Sequence, residues 1–254
     1  MKYDFERILL CVKNDEQWIR KLTIGALFLI IIAFLLTLPV FSIFLLKSFA
    51  LNFLLFVFFY IAAGVIALAV TGFGLQFAHD YRLDSNTNLP DWHNFWSLTF
   101  VGFKAFLGSV LFLLPVILFV IVSFVLEVQF KDIAVHSELF KSTYFIFNAI
   151  AEIVYILYFV FYFLFCANFI KDFNLFEFLN FASAYNLIRY NVLNYLILML
   201  IVLALNVIFN TVALIFALTI IGLLLVPFIS IYIQIVSCCL IARFIQIADE
   251  YKNV

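Results

Sequence analysis

Charge is scarce in this chain: Asp, Glu, Lys and Arg make up 11% of its 254 residues, against roughly 25% in an ordinary soluble domain. That shortage excludes a water-facing globule, because too little polar surface exists to cover one. The net charge is −1, so no global field directs the chain to nucleic acid or to an acidic partner. The four cysteines, Cys11, Cys166, Cys238 and Cys239, show no C-x-x-C spacing, so neither a metal site nor a disulfide is expected. The first 21 residues are charged and amphipathic instead of a short apolar core before a cleavage site, and read as mature protein. Position 2 is Lys, which excludes N-myristoylation. No H-E-x-x-H or comparable ligand spacing occurs.

What fills the chain instead is apolar. Hydrophobic residues reach 68%, with 36 phenylalanines, which suit lipid-facing surfaces and interhelical seams equally. A membrane-crossing helix needs about 20 apolar residues to cover ~30 Å of hydrocarbon. Leu22–Leu46, Ala50–Phe77, Ala105–Leu126 and Phe145–Ala167 each meet that length, the last interrupted only by Glu152. Asn194–Ala242 then runs without a charge, too long for one helix and right for two. Gly222 and Pro227 mark the expected reversal. The expectation is an all-α polytopic bundle of six transmembrane helices as three hairpins, forming one membrane domain over 1–254. Of the 14 basic residues, only Lys47, Lys131 and Lys141 fall on one side of such a bundle. The side richer in Lys and Arg is the cytoplasmic one. Both termini are therefore placed in the cytoplasm of a cell inner-membrane protein, and all four cysteines lie near that reducing side.

The connections on the basic side share a form. Phe5, Ile8, Leu9 and Val12 make a helical stripe. Asn14 and Gln17 have capping-box spacing, as do Asn174 and Glu177. Pro90 and Asp91 open a further turn, and Phe178, Phe181, Ala182, Tyr185 and Ile188 share a face. Such amphipathic segments lie in the headgroup plane. The hairpins also end alike, in LQFAHDYRLD, LFCANFIKDF and LIARFIQIAD, with Ala78, Ala167 and Ala242 in equivalent places. Three repeats of interfacial helix plus hairpin are expected, over 1–78, 79–167 and 168–246.

Several motifs in this order carry a resemblance. Trp18–Gly25 reads WIRKLTIG, a glycine-rich helix end leads to Tyr81-Arg82, Leu89–Trp92 reads LPDW, and Thr99, Phe100 and Gly102 precede Lys104. Phe176–Asn191 and the closing GLLLVPF of Gly222–Phe228 continue the pattern. Nearly the whole chain thereby resembles a prokaryotic membrane family, domain of unknown function 4013. The resemblance implies an inner-membrane α-helical protein and supplies no activity. More distantly the chain resembles the membrane domain attached to some glycerophosphodiester phosphodiesterases, without their catalytic domain in the sequence.

Polar residues inside apolar segments are the candidates for function. Glu152 is the one acid placed within a span, with Asn148 and Tyr155 one turn to either side. Intramembrane acids usually face the bundle interior and mark function; the bland alternative puts Glu152 at the outer headgroups. Asn206 and Asn210, with Ser230, Gln234 and Ser237, suggest a polar stripe between the last two spans, either interhelical glue or a substrate groove. Ala63, Gly64, Ala67, Thr71 and Gly72 form a small-residue packing face. His79, Asp80, Asp84, Asp91 and His93 gather in the second connection, more simply a solvated loop than a metal or acid–base site. Pro39 and Pro115 could break the first and third helices. The expected function is non-enzymatic, through helix packing or contact with membrane lipids, a protein partner or a second copy, without cofactor or nucleic acid. The alternative is a small-solute or lipid transporter using the polar stripe and Glu152.

Overall fold

The computed structural model describes residues 5–45, 48–136, 149, 160–189, 191–217 and 219–252. Within them every regular element is helical: α1 (Phe5–Leu9), a 3-10 turn (Cys11–Asn14), α2 (Trp18–Leu45), α3 (Phe49–Leu83), a 3-10 turn (Trp92–Asn94) and α4 (Phe95–His136). Then follow α5 (residues 160–172), a 3-10 turn (Leu175–Leu179), α6 (Phe181–Arg189), α7 (Val192–Ala217) and α8 (Ile220–Lys252). Five described helical stretches are long and apolar enough to cross a membrane: Trp18–Ser42, Phe49–Leu83, Trp92–Val122, Val192–Phe216 and Leu225–Glu250. Three overlap the first three sequence-derived spans, and two divide the charge-free run as expected. Most of the remaining one, Phe145–Ala167, lies outside the described residues.

The reversal between the last two spans is not at Gly222 and Pro227. α7 stops at Ala217 and α8 begins at Ile220, with Pro227 inside α8. The stop comes from Thr219, whose backbone N–H and hydroxyl both donate to Phe216 O, at 2.9 and 3.0 Å. Pro39 and Pro115 likewise sit inside α2 and α4 without ending them. Lipid-embedded helices tolerate an internal proline because neighbouring groups re-satisfy the freed backbone.

Side-chain caps form at two of the starts the sequence singled out. Asn14 closes the first 3-10 turn, and it is Asp15 that serves the start of α2, its Oδ1 accepting from Gln17 N at 2.7 Å. Asn174 does cap as its spacing suggested, accepting from Phe176 N at 3.1 Å. Glu177 does not reach back to Asn174; its carboxylate accepts from Asn180 Nδ2 at 3.2 Å. α6 buries Ala184 and Leu187 and leaves Phe181 and Tyr185 exposed. A turn at Asn191 separates it from α7.

α3 is the central helix, packed along α2, α4 and α8. Its approach to α4 is backbone on backbone. A Cβ placed on Gly72 would lie 1.8 Å from Leu98 O, and one on Gly102 would lie 1.9 Å from Leu68 O. The small-residue face is thus narrower than its sequence spacing implied. Gly64 meets nothing within 4 Å and Thr71 is exposed, while Ala63 is buried. Two further glycines receive rings: Gly25 of α2 lies against Trp92, and Gly108 of α4 against Phe178. Outward, the bundle is greasy, with Phe41, Leu54 and Phe58 each about two-thirds exposed (64%, 64% and 65%).

Gly72→Leu or Gly102→Leu forces the two backbones apart. Each is expected to destabilise by at least the ~1–3 kcal/mol of an overpacked core, lowering the apparent melting temperature in detergent by several degrees. Gly64→Ala, facing open space within a helix, should be neutral or gain up to about 1 kcal/mol.

Candidate functional site

Two polar constellations join the helix ends, and both grow from motifs visible in the sequence. The first links Asp15–Lys21 to the segment after α3. Lys21 and Asp15 are 8% and 5% exposed, and their Nζ–Oδ2 distance is 2.8 Å. Lys21 Nζ also donates to Leu89 O at 2.6 Å and lies 3.3 Å from Asp91 Oδ1. Its three protons thereby have three acceptors. Asp15 Oδ2 in turn accepts from Leu89 N at 3.0 Å. Trp92 completes the lock: its Nε1 donates to Lys21 O at 2.9 Å, and its ring stacks on Phe73 at 4.2 Å and meets Phe28 edge-on at 5.0 Å. WIRKLTIG and LPDW are thus two halves of one interlocking contact.

The second constellation gathers the ends of α3, α5 and α8. Arg82 Nη2 and Lys171 Nζ each lie 3.6 Å from a different oxygen of Asp249. Gln246 Nε2 donates to Tyr81 O and Arg82 O at 3.1 and 2.9 Å, and Arg82 Nη1 donates to Lys171 O at 3.3 Å. His79 Nδ1 stands 2.7 Å from Ile170 O, a geometry that places its proton on Nδ1. Arg243 bonds Gln246 Oε1 at 3.0 Å and pairs with Glu250 at 3.6 Å. Arg82, Lys171 and Gln246 each follow by four residues one of Ala78, Ala167 and Ala242, and those alanines are all 0% exposed. The three rhyming sequence ends therefore meet in space.

These arrangements tie helix ends to one another. The cluster His79, Asp80, Asp84, Asp91 and His93 disperses. Asp80 accepts from Gln76, Asp84 from Asn86 N, and Asp91 faces Lys21. Among the described residues, no three His, Cys, Asp or Glu side chains are placed to hold a metal ion.

The sequence-derived polar residues fall in different places. Glu152 and Asn148, with Tyr155, lie outside the described residues. Asn206 Nδ2 donates to Val202 O and Asn210 Nδ2 to Asn206 O, each at 2.8 Å, within α7. Asn206 also borders an apolar cavity lined by Phe163, Met199, Leu200, Val202 and Leu203. Gln234 crosses to α3, donating to Val70 O at 3.2 Å beside Gly74. Ser230 bonds Val226 O in its own helix. Sequence reasoning missed Asp15, Lys21 and Asp249: Asp15 and Lys21 pair across six residues and both meet Leu89, and Asp249 meets Arg82 and Lys171, contacts that no helical spacing connects.

The family model described as "Protein of unknown function (DUF4013)" matches residues 55–218, well over half of the chain. The chain belongs to that family. The matched stretch holds Tyr81-Arg82, Leu89–Trp92 and Phe176–Asn191, whereas Trp18–Gly25 and Gly222–Phe228 lie beyond it. No curated protein and no solved structure matches the chain.

Lys21→Ala strands Asp15 as a buried, uncompensated carboxylate. A loss of about 3–5 kcal/mol is expected, the range for breaking a buried pair. Asp15→Ala/Lys21→Ala should cost less than the two single changes added. Asp91→Asn, at an exposed partner, should move stability by under about 1 kcal/mol. Thermal unfolding of the purified variants in one detergent measures all four.

Proposed function

We propose that this family member is a multi-pass protein of the inner membrane, with both termini cytoplasmic, that works without catalysis by presenting its helix surfaces to lipids and to a protein partner or second copy. One observation supports this above the rest. Asn206, Asn210 and Ser230 spend their hydrogen bonds on their own helices and Gln234 on α3, while large apolar side chains cover the outside. A surface of that kind is solvated by acyl chains and recognised by shape. The three-repeat reading, 1–78, 79–167 and 168–246, belongs to the same proposal, supported by the three fully buried alanines at matching places. So does the sixth helix over Phe145–Ala167.

Impermeant thiol labelling checks the topology. Cysteine introduced at Asn88 should react only from the cytoplasmic side and cysteine at Ser137 only from the outside; reaction of both from one side rejects the arrangement. Photo-crosslinking from Phe41 and Phe58 then checks the function, with lipid or protein adducts expected in native membranes.

The transporter reading keeps one favouring observation, the apolar cavity bordered by Asn206. It requires that Glu152→Gln or Asn206→Leu abolish uptake or flipping of a solute or lipid. The packing reading expects both variants to insert, fold and support growth like the parent protein.

A further inference from the structure

Cys11 and Cys239 are 228 positions apart, yet their sulfurs lie 2.8 Å from each other. Both are free thiols, 1% and 0% exposed. A disulfide has an S–S length of about 2.05 Å, so an approach of roughly 0.8 Å would complete the bond. Cys11 belongs to the 3-10 turn that follows α1, and Cys239 to the middle of α8. The neighbouring thiol does not compete for this position: Cys238 Sγ lies beside Gly74, 3.2 Å from where its Cβ would stand, against α3.

The segment that carries Cys11 meets the bundle through side-chain hydrogen bonds from its own and neighbouring elements. Tyr232 OH donates to Leu9 O at 2.6 Å, Arg7 Nη2 to Asn86 Oδ1 at 3.1 Å, and Asn14 Nδ2 to Ser85 O at 3.2 Å. Ile8 and Val12 add two buried apolar side chains. A short terminal element of this kind opens locally at far lower cost than the whole bundle. Opening uncovers both sulfurs; reclosure returns them to contact.

We propose that Cys11 and Cys239 are a modification site, a dithiol that a hydroperoxide converts into a disulfide tethering the N-terminal segment to α8. The Cys11 thiolate, carried on the segment that opens, attacks the terminal peroxide oxygen. The O–O bond breaks, an alcohol leaves with the proton released by the thiol, and Cys11 becomes a sulfenic acid. On reclosure the Cys239 sulfur attacks the Cys11 sulfur, the S–O bond breaks, and water leaves with the second thiol proton. Two thiols lose two electrons and two protons, and the hydroperoxide is reduced to alcohol and water. The inference stands apart from the proposed lipid- and partner-contact function.

The test uses the full chain in lipid vesicles, titrated with cumene hydroperoxide, with remaining thiols blocked by maleimide and the digest read by mass spectrometry. The expected product is one linked peptide pair containing Cys11 and Cys239, reversed by a thiol reductant. Cys238→Ser should leave it unchanged, and Cys239→Ser should leave Cys11 as a sulfenic acid trapped by dimedone. Hydrogen exchange of residues 5–14 should slow by about tenfold or more in the oxidised protein, since opening is then blocked. The proposal is overturned if Cys166 or Cys238 oxidises while Cys11 stays reduced, or if Cys11 links to Cys238. It is equally overturned if the Cys11–Cys239 link forms as fast in the detergent-unfolded chain.

Discussion

In a lipid solvent, apolar helices gain little by touching each other, because acyl chains are as apolar as leucine. Association then depends on how closely backbones approach, and here that distance is set where α3 crosses α4. Gly72 and Gly102 each leave room for a carbonyl oxygen of the opposite helix where any other residue would put a Cβ. Such contact gives both helices dispersion energy along their length, and it fixes the height of α4 against α3. The height matters because Trp92 sits just before α4. Only with α4 at this level can its indole lie flat on Phe73 and reach the carbonyl of Lys21.

The Asp15–Lys21 pair is then explicable in energetic terms. Desolvating two charges costs several kcal/mol each, and their attraction does little more than offset it. Net stabilisation is therefore a poor reason for its presence. Its effect is on alternatives: any displacement of Leu89 removes one donor from Asp15 and one acceptor from Lys21 together. A bundle held by non-directional apolar contact has many near-equivalent registers, and a buried, fully satisfied polar lock penalises all but one of them. The glycines set the distance and the ion pair sets the register.

That division also accounts for what was legible in the sequence. The number of residues needed to cross a bilayer is an external constraint, so the apolar runs marked five of the described helices well. Helix ends are set locally, by one or two hydrogen bonds where a cap forms. Thr219 ends α7 by two bonds to one carbonyl, while Pro227, the stronger breaker by type, rides inside α8 where lipid leaves the helix no better alternative. The small-residue stripe was read as one face by spacing. In fact Gly72 is in the crossing and Gly64 is in open space, because two helices that cross touch over only a few turns. The polar residues of the last two spans show where such side chains place their bonds. An asparagine in an apolar helix can satisfy its amide on the carbonyl four residues back, as Asn206 and Asn210 do, and then owes nothing to a neighbour. At each of the three rhyming segments an alanine is buried and a polar donor, Arg82, Lys171 or Gln246, follows four residues later.

Those donors run in one direction around the bundle. Gln246 of α8 donates to carbonyls at the end of α3, and Arg82 of α3 donates to a carbonyl at the end of α5. Asp249 then returns from α8 to the cations of α3 and α5. These directional bonds gather at the ends of α3, α5 and α8, near the Asp15–Lys21 lock at the start of α2. The middle of α2 and the first half of α3 carry instead a run of exposed Phe and Leu. The polar contacts fix where these helix ends lie relative to one another, and the apolar contacts along the rest are non-directional.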